Sequence, residues 1–134
     1  MLDFSEWKSF QILYVSTHTR VLSDVDLTSL KRVVQKRNQT LGLHGFLYCA
    51  NGRFCQFLEG SEPTVLWLME RIVRDPRHRD VRVLAEEQTA FPLFSSFHAG
   101  MCLGGSRCRM DDARFERVID ITADRVRKRR LRDA

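Results

Sequence analysis

The first apolar stretch, Phe10-Gln-Ile-Leu-Tyr-Val-Ser16, is nearly unbroken and of strand length, the pattern of a central strand buried on both faces. A polar connection follows, in which Ser23-Asp-Val-Asp26 has the form of a capping box. Leu27, Leu30, Val33 and Val34 then recur at helical spacing, with charged residues between them, so an amphipathic helix is predicted to end near Asn38. Two strand-like runs, 43–50 and 53–59, flank Asn51-Gly52, the strongest short hairpin signal. A two-residue turn sets Leu47 against Gln56 and Gly45 against Leu58 on one side of the sheet. The same register sends Cys49 and Cys55 to opposite faces, which excludes a disulfide between them.

Gly60 ends the hairpin, Ser61 caps and Pro63 enters the first turn of a second helix, whose stripe is Val65, Leu68, Met69, Ile72 and Val73. Pro76 stops it. Val81 to Ala90 reads as a strand, Met101 to Leu103 as a short one, and Met110 to Arg130 as a third helix with Phe115, Val118, Ile119 and Val126 on one side. The order β-α-β-β-α-β, then a strand and a helix, is the ferredoxin-like α+β arrangement: a mixed sheet with two helices on one face. We divide the chain into a folded body, residues 1–105, and a helical extension with a basic end, residues 106–134.

Composition narrows the function classes. The chain has 134 residues, 43% of them hydrophobic and 10% aromatic, enough for a proper core. Its net charge is +5, but residues 106–134 hold ten Lys/Arg against six Asp/Glu, so the body is nearly neutral and nucleic acid is not the expected partner. No apolar run approaches membrane-spanning length, and the first residues lack a signal peptide's apolar region, so a cytoplasmic protein is expected. The four cysteines form no CxxC pair and no histidine stands at zinc-finger spacing, so no metal is expected.

Several polar residues stand where apolar ones would be cheaper. Tyr14 lies mid-strand in the most hydrophobic run, and Gln56 sits within Phe54-Cys-Gln-Phe-Leu58. A buried glutamine left unpaired costs about 1–3 kcal/mol, so either Gln56 has a partner or its face is exposed. Asn38 falls on the core stripe of the first helix, where it is either a site residue or a helix terminator. Arg71 and Asp75 are spaced i,i+4, in the poorer order for a surface pair, and Asp75 stands at the unfavourable end of a helix dipole. A solvated helix face explains them singly; a ligand with donors and acceptors explains them together.

Together these residues resemble the BLUF family, sensors of blue light using FAD, over roughly residues 10–103. The motifs are Tyr14-Val-Ser16, the helix-terminal Asn38, Gly52-Arg-Phe-Cys-Gln-Phe-Leu-Glu-Gly60 for G-x-F-x-Q-x-L-E-G, and Arg71-Ile-Val-Arg-Asp-Pro-Arg-His78 for R-I-x-x-D-x-R-H. The resemblance implies a flavin between the first two helices: FAD bound non-covalently, with FMN or riboflavin as alternatives. It implies Leu30 and Ile72 as clamps on the ring, with Asn38, Arg71 and Asp75 on its polar edge. Arg37 and His78 are placed towards the ribityl or phosphate part.

The resemblance further implies that Tyr14 and Gln56 form a photochemical switch without turnover. Electron transfer from Tyr14 is followed by rearrangement of Gln56, which changes hydrogen bonding to the flavin. Ser16, Phe97, Ala99 and Met101 are the implied signal relay. Phe97 and Ala99 replace the family's Trp and Met, so a normal spectral switch with a muted structural response is expected. Arg37 replaces the usual Asn, and His44 a small polar residue. The signal is expected to reach a protein partner or a second copy. The rival readings are an acylphosphatase-type hydrolase, which lacks a Gly-rich anion loop here, and an RNA-binding sheet, against which the near-neutral body argues.

Overall fold

The computed structural model describes residues 9–50, 52–89, 97–98 and 112–133. Their order is β1 (Ser9–His18), α1 (Asp24–Thr40), β2 (His44–Ala50), β3 (Arg53–Gly60), α2 (Glu62–Arg74), β4 (His78–Thr89), β5 (Phe97–His98) and α3 (Asp112–Asp133). The strands form one sheet in the order β4-β1-β3-β2-β5. Neighbours run antiparallel except β2 and β5, which are parallel and make the sheet mixed, as expected for the ferredoxin-like arrangement.

β1 is sandwiched between two layers because its side chains alternate between two buried faces. Phe10, Ile12 and Tyr14 pack with Leu27 and Val34 of α1 and with Val65, Leu68 and Ile72 of α2. Leu13 and Val15 face the other way, against Ile119, Ala123 and Val126 of α3. Gln11 lies on that second face, fully buried, where its Nε2 donates to Glu59 Oε2 at 2.8 Å. The third helix therefore lies on its own sheet, and the ion pair between Arg53 and Glu116 ties it to β3.

Local chemistry accounts for most boundaries. Ser23 Oγ accepts from the Asp26 N–H while Asp26 accepts from the Ser23 N–H, completing the expected capping box. Gly52, at φ 77°, turns the hairpin, and the β2–β3 register is the expected one, with Leu47 opposite Gln56 and Gly45 opposite Leu58. Cys49 and Cys55 are free and buried in separate layers.

Four boundaries differ from expectation. α1 continues to Thr40, because its stop is Gly42 at φ 70°, whose N–H bonds the Gln39 carbonyl; Asn38 thus sits inside the last turn. α2 ends at Arg74, and Asp75 leaves it in extended backbone, φ −73° and ψ 121°, the conformation proline imposes on its predecessor. β4 begins at His78 instead of Val81, since His78 and Arg79 still pair with the end of β1 past an irregularity that puts Asp80 at φ 52°. A short strand is present at Phe97–His98, beside Gly45 and Phe46; the one expected at 101–103 lies outside the described residues, as do Ala99 and Met101.

Candidate functional site

A slot of about 280 Å³ lies over the sheet, lined by α1 residues from Asp26 to Arg37 and by Ile72 of α2. Its floor is Tyr14 from β1, Leu47 from β2 and Gln56 from β3, and its walls include Leu30 of α1 and Ile72 of α2. The two residues expected as apolar clamps therefore do line one cavity. Val33 and Phe54 join them, found by the structure and not by sequence reasoning.

Tyr14 and Gln56 stand opposite each other in the β1–β3 ladder, so their side chains emerge together on the helix-covered face. Tyr14 Oη donates to Gln56 Oε1 at 2.5 Å, and both residues are at most 3% exposed. Burial pushes the phenol well above its ordinary pKa; Arg37 opposes this, while Cys49, Cys55 and Asp75 add to it. Tyr14 is thus a neutral donor. Gln56 Nε2 is buried without a hydrogen-bond partner, two N–H groups beside the slot.

Asn38 is fully buried in the last turn of α1. Its Oδ1 accepts from Arg37 Nε at 3.1 Å, whereas its Nδ2 is a second unpartnered buried donor. Arg37, next to it, lines the slot. Arg71 and Asp75 take different partners: the Arg71 guanidinium lies over the Trp67 ring, 5.0 Å from its centroid. Asp75, having left the helix, is grasped by Arg77, which gives it Nε at 3.0 Å, Nη2 at 2.6 Å and its backbone N–H at 2.9 Å. Arg77 also lines the slot. It belongs to the matched D-x-R-H phrase, so the signal for it was present in the sequence.

His78 lines the slot, but both its ring nitrogens are taken within the protein. Nε2 faces the Ile72 carbonyl at 2.5 Å and must carry the proton; Nδ1, 2.9 Å from Ser16 Oγ, then accepts from the hydroxyl. His78 thus fastens the end of α2 to β1 and presents no spare nitrogen to a ribityl or phosphate group. Ser16 is buried in this link. Beside it, His18 packs 3.8 Å from the Phe54 ring, its pKa lowered by burial and then by His78. Phe97 stands beside Gly45 by backbone pairing.

The Asp75–Arg77 clasp carries a pH signature. Arg77's hydrogen bonds hold the Asp75 carboxyl below its usual range, against a smaller opposing effect of burial. A depressed pKa stabilises above the unfolded carboxylate value, and that stability is lost as pH falls through the folded one. Asp75→Asn should therefore flatten the acid limb of a Tm-versus-pH curve; because the pair is partly exposed, the difference is at most about 1 kcal/mol. Identical acid limbs in variant and parent would count against the clasp.

The model of the family described as sensors of blue-light using FAD matches residues 10–100, a span that holds Tyr14, Gln56, the slot and the clasp. The chain belongs to the BLUF family. As a BLUF domain it is a blue-light, flavin-based sensor module, and neither the hydrolase nor the RNA-binding reading is favoured. Photoactivated adenylate cyclase subunit beta of Euglena gracilis is 41% identical over 70 residues, which are 52% of this chain and 8% of that protein. Subunit alpha of the same organism is 33% identical over 81 residues, 60% of this chain and 8% of its own length. This BLUF chain thus spans under a tenth of the curated relatives it matches. Klebsiella pneumoniae BlrP1, solved with FMN and cyclic diGMP, superposes with a TM-score of 0.65 at 28% identity over 83% of this chain and 29% of that one. The dark-state structure of BlrB, a BLUF protein, gives a TM-score of 0.68 over 94% of both chains, a likeness of fold at 22% identity. Among the described residues no helix is long and apolar enough to cross a membrane.

Proposed function

We propose that the slot binds FAD non-covalently and that the chain works as a light-driven switch without turnover, passing its state to a protein partner or to a second copy of itself. The observation that carries this reading is the buried Tyr14 Oη–Gln56 Oε1 bond with an unpartnered Gln56 Nε2 beside the slot. The donor set fits a flavin. Its ring requires apolar walls, which Leu30 and Ile72 provide, and its carbonyl-bearing edge requires N–H donors; Gln56 Nε2 stands unpartnered at the slot, and Asn38 Nδ2 is unpartnered behind the slot-lining Arg37. Asp75 and the nearby Arg71 complete the polar edge in this reading. When bound, the flavin supplies absorption of blue light and, on excitation, a strong oxidant.

The chain's own residues then define the switch. Tyr14 holds its proton in the dark because burial suppresses ionisation. An oxidised phenol is a far stronger acid, and the bond at hand leads its proton to Gln56 Oε1. Gln56 accepts on its oxygen and donates from its nitrogen, so it can pass the proton across; return of the electron and a proton to Tyr14 restores the phenol and leaves the amide rotated or tautomerised. No covalent framework changes, and the hydrogen bonds on the slot side do. Ser16, two residues after Tyr14 and bonded to His78, is placed to feel that change at the end of α2. Phe97, Ala99 and Met101 remain proposed relay positions from the family pattern.

Purified protein should be yellow, with one flavin per chain released on denaturation, mostly FAD by chromatographic retention. Colourless protein that takes up none of FAD, FMN or riboflavin would overturn the reading.

A further inference from the structure

β1 ends on an imidazole that takes no part in the Tyr14–Gln56 switch. His18 lies opposite His78 in the β1–β4 ladder, and its backbone N–H donates to the Gly52 carbonyl at 2.8 Å, which fixes it to the hairpin turn. Its ring stands 3.8 Å from the Phe54 ring, tilted by 38°. Phe54 also meets His78 edge-on at 5.8 Å and forms part of the slot wall. Because Phe54 precedes Gln56 by two residues on β3, their side chains are neighbours on one face of the sheet. His18 is thus a prop behind a wall residue that adjoins the switching amide.

The prop suits a neutral ring. An imidazolium carries N–H on both nitrogens, yet His18 Nε2 is buried without a hydrogen-bond partner. The charges around it are basic or already paired. Arg20, from the connection before α1, and Arg53 of β3 line the same cleft of about 610 Å³, and Arg53 is bridged to Glu116 of α3. β4 contributes His78 and, opposite Thr17, Arg79, which is paired with Asp80. β2 contributes Cys49, whose thiol burial pushes up and keeps protonated. From α1 the cleft receives the apolar Leu27, whereas Asp26 lines the slot, and Asp75 is held by Arg77. Among the described residues no carboxylate lines this cleft. A proton on His18 therefore adds a charge with neither acceptor nor counter-ion, and burial, then His78, hold the ring's pKa below its ordinary value.

We propose that His18 is a positioning residue of the switch and lets go of Phe54 when it takes up a proton. Neutral, it packs Phe54 against the slot. Protonated, it turns out of the stack into the open cleft, Phe54 loosens, and water reaches the Gln56 amide. The light-induced state then decays faster in mild acid. The inference rests on the switch reading of the slot and adds control by pH to it.

The test is the dark-return rate of the flavin-loaded chain after blue light, followed by its red-shifted absorbance from about pH 7.5 to about pH 5. Asp75, whose own pKa is depressed, stays ionised across this range. The rate should rise at least about threefold on acidification, the size of one modest hydrogen bond exchanged at Gln56, with a midpoint below about 6.5. His18→Phe keeps a ring against Phe54 and cannot titrate, and His18→Leu fills the site without a ring. Each should give a rate that does not change over the range. NMR titration of the parent in the dark should show the His18 and Phe54 ring signals moving together at the same midpoint. A flat parent rate, a rate that falls in acid because the cation stays over the Phe54 face, or a step that survives in either variant overturns the proposal. If no red-shifted state forms, the switch reading fails and the titration alone decides this inference: Phe54 signals that do not follow His18 overturn it.

Discussion

Gln56→Leu is expected to keep its fold and its flavin and to lose the long-lived, slightly red-shifted absorbance that the parent should show after blue light. Leucine nearly conserves the volume, and the neighbours across β2 and along β3, Leu47 and Leu58, are apolar. Two polar effects oppose each other. The Tyr14 hydroxyl loses its 2.5 Å acceptor, at about 1–3 kcal/mol for a buried unpaired group, while the unpartnered Nε2 disappears as well. The structure thus predicts modest destabilisation together with total loss of switching. Tyr14→Phe should abolish the same signal from the other side, removing the donor and leaving the amide. Light-minus-dark absorbance spectra of both variants beside the parent decide the matter. A stable red shift in Gln56→Leu would make the amide a bystander.

Gly45→Ala should damage folding more than any change in the slot. Gly45 lies in β2 at φ 131°, and a Cβ there would stand 2.0 Å from the Phe57 carbonyl oxygen and 2.8 Å from its carbon. Those are backbone atoms of the neighbouring strand, so no side-chain rotation relieves the clash and β2 must part from β3. The cost is expected to exceed about 3 kcal/mol, a fall in Tm of roughly 10 °C or more for a domain of this size. Gly42→Ala is the control. Gly42 is also left-handed, φ 70°, but nothing stands within 4 Å of its Cβ position, leaving only the backbone cost of about 1–2 kcal/mol. Thermal unfolding of the two variants should separate them clearly, and a Gly45→Ala protein as stable as Gly42→Ala would refute the close approach.

The hydrophobic and polar pattern determined a good deal by itself, because the features concerned are local. The two-residue turn at Asn51-Gly52 dictates the β2–β3 register, and with it which face carries Gln56 and which carries Cys55. Capping at Ser23 and the 3.6-residue stripes place α1 and α2, and the R-I-x-x-D-x-R-H phrase, with the one around Gln56, carries the family. Even the departure of Asp75 from α2 was available, since Pro76 forces its predecessor out of helical backbone. What only the tertiary structure decided is which groups meet across long sequence separations. Tyr14 reaches Gln56 through a β1–β3 pairing of residues 42 apart, and no local period encodes that contact. Asp75 pairs with Arg77 because a change of backbone direction, not helical spacing, brings the two together. His78 is spent on Ser16 and the Ile72 carbonyl because β4 starts early enough to bring it beside β1. The third helix settles on the second face of the sheet because Leu13, Val15, Phe46 and Phe57 form an apolar surface there, assembled from three strands and absent from any one of them.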